Sequence, residues 1–137
     1  MATFNKFNCF VLDIGTKIHQ LATDQLTIAL TNTAPVATNT LIANITEITY
    51  TSLSTRAVTT TSYTQSSGTA KLICADLVLT ASGAVGPFRY VVLYNSGTIS
   101  ASGPLIGWYD YGSSISLATS ETFTIDFDQS NGVLTIA

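Results

Sequence analysis

From Leu26 onwards, apolar residues recur at every second position in short runs that turn sequences separate. In "LTIALTN", Leu26, Ile28 and Leu30 alternate with Thr27, Ala29 and Thr31, which is the spacing of a strand. The segment "ETFTIDFD" repeats this pattern near the C-terminus. About seven such segments follow one another at short spacing. We therefore predict a mainly β (α+β) fold, an antiparallel β-sandwich or a partly open barrel.

The N-terminal segment has a different period. Its apolar residues follow one another at gaps of three and four, which predicts one face of a helix; they are Phe7, Phe10, Val11, Ile14, Ile18 and Leu21. We predict a single amphipathic helix from about Asn5 to Leu21, with Lys17 and His19 on or near its polar side. The chain is predicted to form one domain, 1–137, with the helical part in 1–22 and the β-sandwich in 25–137.

Turn sequences divide the β region further. "SSG" is predicted to join the strands in "RAVTTTSYTQ" and "AKLICADLVLTAS". The second of these is apolar on both faces, which is typical of a strand covered on both sides. "QSNG" between "ETFTIDFD" and "VLTIA" predicts a hairpin, because Asn-Gly readily adopts positive φ. "LIANITEI" is predicted to contain a helical turn.

Few residues are charged. Asp, Glu, Lys and Arg make up 9% of the chain, where about 25% is typical, while Thr and Ser account for 37 of the 137 residues. Such a surface is polar, but its few charges give little electrostatic repulsion between molecules. This suits a protein that packs against other proteins. The five Lys and Arg residues are scattered, so no nucleic-acid partner is expected. The sequence contains no run of 18 apolar residues, so it predicts no membrane span.

The sequence predicts no cofactor, no metal and no enzymatic activity. Cys9, Cys74 and His19 are too few for a usual zinc site, and no phosphate-binding loop is present. Asp126 and Asp128 share one face of a predicted strand with Thr residues, which indicates a solvated side rather than an acid–base pair. The acids considered for such a pair are Asp110, Glu121, Asp126 and Asp128.

The most aromatic stretch is "LIGWYDYGSSISL". Strand alternation predicts that Ile106, Trp108 and Asp110 point to one side, while Tyr109 and Tyr111 point to the other. Trp108 is expected to pack in the core beside Ile106. Tyr109 and Tyr111 have three possible roles: sheet packing, a subunit interface, or stacking on a small ligand such as a sugar.

The order of these segments resembles a family. "F-x-x-F…LTIALTNTAP", "AKLICADLVLTASGAVGPFRYVVLYN", "LIGWYDYGSSISL" and "ETFTIDFD…NGVLTIA" are similar to small proteins encoded among the structural genes of tailed bacteriophages and prophages. The similarity covers nearly the whole chain and rests on strand and turn motifs. It implies a virion component and assigns no functional residue.

Together with the composition, the resemblance favours a capsid decoration (cement) protein that binds the major capsid protein in many copies as a homo-oligomer. Its expected location is the virion, assembled in the host cytoplasm. The alternatives are a tail, baseplate or fibre-associated subunit and a carbohydrate-binding host-attachment module. The helix or the loop Thr31–Leu41 is expected to contact the shell or sister subunits. The candidate interface residues are Phe4, Phe7, Tyr109 and Tyr111.

Overall fold

The computed structural model describes residues 2–98 and 102–137, and it is mainly β with antiparallel sheets that do not close into a barrel. This confirms the predicted β-sandwich-like class with one N-terminal helix. The elements are β1 (Asn5–Lys6), α1 (Cys9–Gly15), β2 (Leu26–Thr31), a 3-10 turn (Ile42–Asn44), β3 (Ala57–Val58), β4 (Thr60–Ser66), β5 (Thr69–Cys74), β6 (Leu77–Thr80), β7 (Val85–Asn95), β8 (Leu105–Leu117), β9 (Thr122–Ile125) and β10 (Leu134–Ile136).

The strands form three sheets. The large sheet has the order β1-β8-β7-β2-β3, and two small sheets have the orders β10-β5-β4 and β6-β9. The main core joins side chains of the large sheet to those of both small sheets, among them Leu26, Ile28, Leu72, Leu79 and Phe88. Burial of such side chains is the dominant stabilising term of a fold like this.

A second, smaller core lies on the other face of the large sheet. It contains Phe7, Ala29, Ile45, Val92 and Leu105. The segment between β2 and β3, which includes the 3-10 turn, and the residues around Phe7 supply its cover. The large sheet is therefore buried on both faces near its centre, which explains why β7 contains consecutive buried apolar residues.

The helix is shorter than predicted. It spans Cys9–Gly15 rather than Asn5 to Leu21, because Asn5 and Lys6 pair with β8 instead. Its end is followed by Lys17, whose φ of 64° turns the chain out of the helical path. The apolar spacing did not define the helix, since Phe7 and Leu21 are buried outside α1 while Val11, on α1, is exposed.

The faces of β8 also differ from the prediction. Tyr94 pairs with Leu105 and Leu93 pairs with Gly107, so Ile106 is an extra residue on β8. Such a bulge shifts the alternation of side chains by one position. Ile106 consequently enters the main core, while Trp108 packs with the second core on the opposite face.

The segment "AKLICADLVLTAS" was predicted to be one strand covered on both sides, and this prediction was wrong. It divides at Ala75–Asp76 into β5 and β6, which belong to different small sheets. One face of β6 is exposed, including Val78 at 52%, and the equivalent face of β5 carries the exposed Lys71 between partly buried residues. The break is held by Asp76, whose Oδ1 accepts the Phe127 N–H at 3.1 Å.

The predicted hairpin at "QSNG" is likewise wrong, although the turn exists. Asp128 Oδ1 accepts the N–H groups of Ser130 and Asn131, and Gly132 has a φ of 90°. The strands on either side separate, because β9 pairs with β6 and β10 pairs with β5. The turn sequence therefore predicted local geometry correctly but not the strand pairing.

Candidate interaction surface

The structure separates the four predicted interface residues. Phe7 has no exposed surface and packs on Trp108 with ring centroids 4.5 Å apart, so it belongs to the second core and offers no contact to a partner. Phe4 is half-buried and packs against Tyr109, 5.2 Å between centroids. Tyr111 is 53% exposed. Phe4 therefore lies beside Tyr109, and Tyr111 follows two residues further along β8.

Tyr109 and Tyr111 line an open groove of about 380 Å³, which we call the aromatic groove. Its walls and floor combine aromatic and aliphatic side chains with two polar ones: Ala2, Val91, Tyr109, Tyr111, Phe123, Thr124, Ile125 and Asp126. The Tyr111 and Phe123 rings meet edge to face at 5.4 Å. This geometry is favourable for aromatic pairs and fixes the orientation of the exposed tyrosine.

The aromatic groove lies between the edges of two sheets. In the large sheet, β1 covers the edge of β8 at Gly107 and Trp108, and no described strand continues this cover past Tyr109. In the facing small sheet, β9 has β6 as its one strand partner among the described residues. Four consecutive residues of the β9 region line the groove, so the groove follows the edge of β9 rather than one of its faces.

The backbone of β9 presents hydrogen-bonding groups to this edge. In the ladder between β6 and β9, Thr80 pairs with Thr122 and Leu77 pairs with Ile125. Directly beside this ladder, Ala81 donates its N–H to the Glu121 carbonyl at 2.9 Å, so Ala81 and Glu121 form a hydrogen-bonded pair. Because such pairs alternate in an antiparallel ladder, Thr122 and Thr124 direct their N–H and C=O groups away from β6. They face the open edge, which is a template for another strand.

Acidic side chains bracket β9. Asp126 is exposed in the groove and makes no hydrogen bond or ion pair within the described part of the chain. Glu121 precedes the strand and accepts the Ala118 N–H at 2.7 Å. Arg89 lies on β7, where it binds Asp110 through two hydrogen bonds of 2.8 and 2.9 Å. Asp126 is therefore the one charged side chain among the described residues that line the groove, and Glu121 lies at the other end of β9.

The other predicted carboxylates have structural partners. The Arg89 guanidinium holds the pKa of Asp110 below its usual value, and hydrogen bonds from Asn131 do the same for the pKa of Asp128. Asp126 and Asp128 also follow β9 rather than lying on it. Within residues 2–98 and 102–137, no group of three His, Cys, Asp or Glu side chains is placed to hold a metal ion.

The prediction that His19 lies on or near the polar side of the helix was wrong. The side chain is buried. Asn95 Oδ1 accepts the N–H groups of Gly97 and Thr98, which directs Asn95 Nδ2 towards His19 Nδ1 at 3.2 Å and Asp24 Oδ2 at 2.6 Å. Since an amide nitrogen only donates, His19 Nδ1 accepts and the neutral ring carries its proton on Nε2. Burial lowers the pKa of His19.

The two thiols are free and unlike each other. Cys74 is fully buried in the main core, and burial raises its pKa to about 11. Cys9 begins α1 and is partly exposed, and burial followed by the nearby Asp13 carboxylate raises its pKa. Both thiols are therefore weak nucleophiles at neutral pH.

The alternation of "ETFTIDFD" predicted that Phe123 and Ile125 share a face, but nothing in the sequence placed that face beside Tyr109 and Tyr111. Exposed apolar side chains also occur elsewhere, at Val11 and Leu12 on α1 and at Val36. No helix in the described part of the chain is long and apolar enough to cross a membrane.

Comparison with known proteins gives no relative. No protein-family model matches the sequence, no curated protein is significantly similar to it, and no solved structure is significantly similar to its fold. The resemblance to virion proteins of tailed bacteriophages therefore stays a prediction, and the function must be inferred from the surface itself.

Proposed function

We propose that this protein is a structural component of a bacteriophage virion that decorates the capsid shell and stabilises the head. The observation that carries the proposal is the aromatic groove, where Tyr109 and Tyr111 lie with Phe123 at an open sheet edge of a domain with few charges. Tyr and Phe are enriched at the centres of protein interfaces. The groove supplies an apolar contact, and the Thr-rich surface around it supplies uncharged hydrogen-bonding groups.

The mechanism is mechanical. Copies of the chain, arranged as a homo-oligomer, bridge neighbouring subunits of the major capsid protein and oppose the outward pressure of packaged DNA. Two other regions support this role as second contacts. Val11 and Leu12 expose 59% and 68% of their surface on α1, and Val36 exposes 57% in the loop Thr31–Leu41. A protein that bridges subunits needs more than one contact surface, and these lie on different elements.

The test is to mix the purified protein with heads that lack decoration and to image them by cryo-electron microscopy. Saturable binding at symmetric positions on the shell is the expected result. Absence of binding at high protein concentration overturns the proposal. Density below the neck of complete particles also overturns it and supports a tail, baseplate or fibre-associated subunit instead.

A carbohydrate-binding module for host attachment is the second candidate. The exposed Tyr111 ring and the unpaired Asp126 carboxylate line the same groove, and an aromatic face next to a hydrogen-bond acceptor suits a sugar ring. A glycan array separates the two functions. Binding that a Tyr109→Ala/Tyr111→Ala variant loses supports the sugar site, whereas an array without hits disposes of it.

A further inference from the structure

We infer that the aromatic groove accepts an extended segment of a partner protein, which adds to the open edge of β9 as an antiparallel strand with basic residues at both ends. The inference deepens the proposed function, on which it rests for the identity of the partner as a virion protein. The groove, the edge and the charges give three separate constraints on the occupant.

The first constraint is the backbone. Thr122 and Thr124 offer their N–H and C=O groups along an edge of four residues, about 13 Å at the usual rise of a strand. Strand addition satisfies these groups in a ladder, and main-chain hydrogen bonds supply affinity in this mode of recognition. A helix presents no free backbone groups to such an edge, so the occupant is extended.

The second constraint is apolar. Phe123 and Ile125 direct their side chains to the same side of β9, towards Tyr109, Tyr111 and the buried Val91. Residues of an added strand opposite Phe123 and Ile125 point the same way. These two positions of the partner therefore carry aromatic or aliphatic side chains, and the residues between and beside them face solvent.

The third constraint is charge, and it distinguishes a foreign strand from a second copy. Glu121 and Asp126 bracket β9, and Asp126 makes no described hydrogen bond or ion pair. If two copies paired through β9 with Thr122 opposite Thr124, Glu121 would face Ile125 and Asp126 would face Ser120 of the other copy, so neither acid would meet a basic side chain. A partner with Lys or Arg opposite Glu121 and Asp126, five positions apart, places opposite charges there instead.

The probe is the peptide acetyl-Lys-Val-Thr-Phe-Thr-Lys-amide, added to the ¹⁵N-labelled full chain. Its two Lys residues face Asp126 and Glu121, and its Val and Phe face Ile125 and Phe123. We expect saturable shifts of the Thr122 and Thr124 amide signals. The same peptide with Glu for Lys should bind at least tenfold more weakly, and a peptide N-methylated at its two Thr residues should not bind. Equal binding of the Lys and Glu peptides, or no shift in β9, overturns the inference.

A variant of the protein with reversed charge at position 126 tests the role of charge with the same two peptides, so that a difference in peptide shape cannot explain the result. Asp126→Lys removes no described contact, and it should bind the two peptides about equally, because position 126 then favours the Glu peptide while Glu121 still favours the Lys peptide. Thr38→Lys, which adds a lysine at an exposed site in the segment covering the second core, should leave the original preference unchanged. An Asp126→Lys variant that keeps the original preference for the Lys peptide contradicts the charge assignment.

The outcomes also separate the two proposals. Heads that bind the protein while the peptide does not would overturn strand addition and leave decoration standing through another surface. A peptide that binds at β9 while heads do not would support strand addition and overturn decoration.

Discussion

The ring of Phe4 lies over Gly107, in the space that a side chain at position 107 would fill. The Asn5 carbonyl oxygen also lies close to that space, at 2.6 Å from where a Cβ atom would stand, and the nearest carbon of the Phe4 ring is closer still. Glycine at this position lets β1 pair with β8. The contact holds the N-terminal segment beside Tyr109, whose ring packs on Phe4.

Gly107→Ala should therefore destabilise the protein by about 1–3 kcal/mol, the usual cost of adding atoms to a packed site. Urea unfolding followed by circular dichroism measures the change. Gly15→Ala is the matched control, because nothing lies within 4 Å of a Cβ atom at Gly15, and it should cost no stability. Adding Phe4→Ala should recover part of the loss, since it removes the ring but not the Asn5 carbonyl. Equal stability of the two alanine variants would contradict the close approach.

The pairing of β1 with β8 marks the limit of prediction from sequence. Segments with local signals were predicted well: β2 follows strict alternation, the 3-10 turn lies in "LIANITEI", and "SSG" joins β4 to β5. Asn5 and Trp108 are 103 positions apart, and no local pattern connects them. The extra residue at Ile106 was hidden for the same reason, because a bulge is defined by the partner strand.

The candidate surface was also predictable only in part from the sequence. The aromatic side chains of β8 were recognised from sequence, and Tyr109 and Tyr111 do share a side. Phe7 was misplaced because the spacing of three and four residues did not show that the chain forms a short strand before Phe7 and begins its helix only at Cys9. The groove itself was not predictable, since it depends on the separation between β8 of one sheet and β9 of another.

The turn between β4 and β5 gives a second prediction. Ser67 and Gly68 both have positive φ, 51° and 83°, as the favoured two-residue hairpin turns require. Gly68→Ala should cost about 1 kcal/mol or more from backbone conformation alone, because nothing lies within 4 Å of the added Cβ. Ser67→Asn should raise stability by about a few tenths of a kcal/mol, since Asn tolerates this conformation. Thermal unfolding tests both, and opposite signs for the two variants are the diagnostic result.

The buried His19 predicts a pH dependence. Its folded pKa lies below its ordinary value because burial disfavours the charged ring, although Asp13 and Asp24 oppose the shift. The unfolded state therefore binds more protons between the folded pKa and about 6.5. Stability should be complete above about pH 6.5 and fall as pH decreases through the folded pKa, by at most about 1.4 kcal/mol per pH unit.

Urea unfolding at pH 7.5 and pH 5.5 measures this effect, with His19→Gln as the comparison. The variant cannot gain a proton, so its stability should change less between the two pH values than that of the natural chain. Protonation of the natural chain also places a donor on Nδ1 opposite the donating amide of Asn95. Equal pH dependence of both proteins would show that His19 titrates normally.

Tyr111 provides the direct test of the aromatic groove. Because Tyr111 is 53% exposed, Tyr111→Ala should change the free energy of unfolding by less than about 1 kcal/mol, within the range of surface substitutions that lose one ring contact. Binding to undecorated heads should weaken at least tenfold, since aromatic side chains at the centre of an interface contribute strongly. Val78→Ala, a comparably exposed apolar site on β6 that is not among the proposed contacts, separates a specific loss from a general loss of apolar surface. Tyr111→Phe should retain binding if ring packing carries the contact. If Tyr111→Ala bound the heads as tightly as the natural chain does, the aromatic groove would not be part of the interface with the shell.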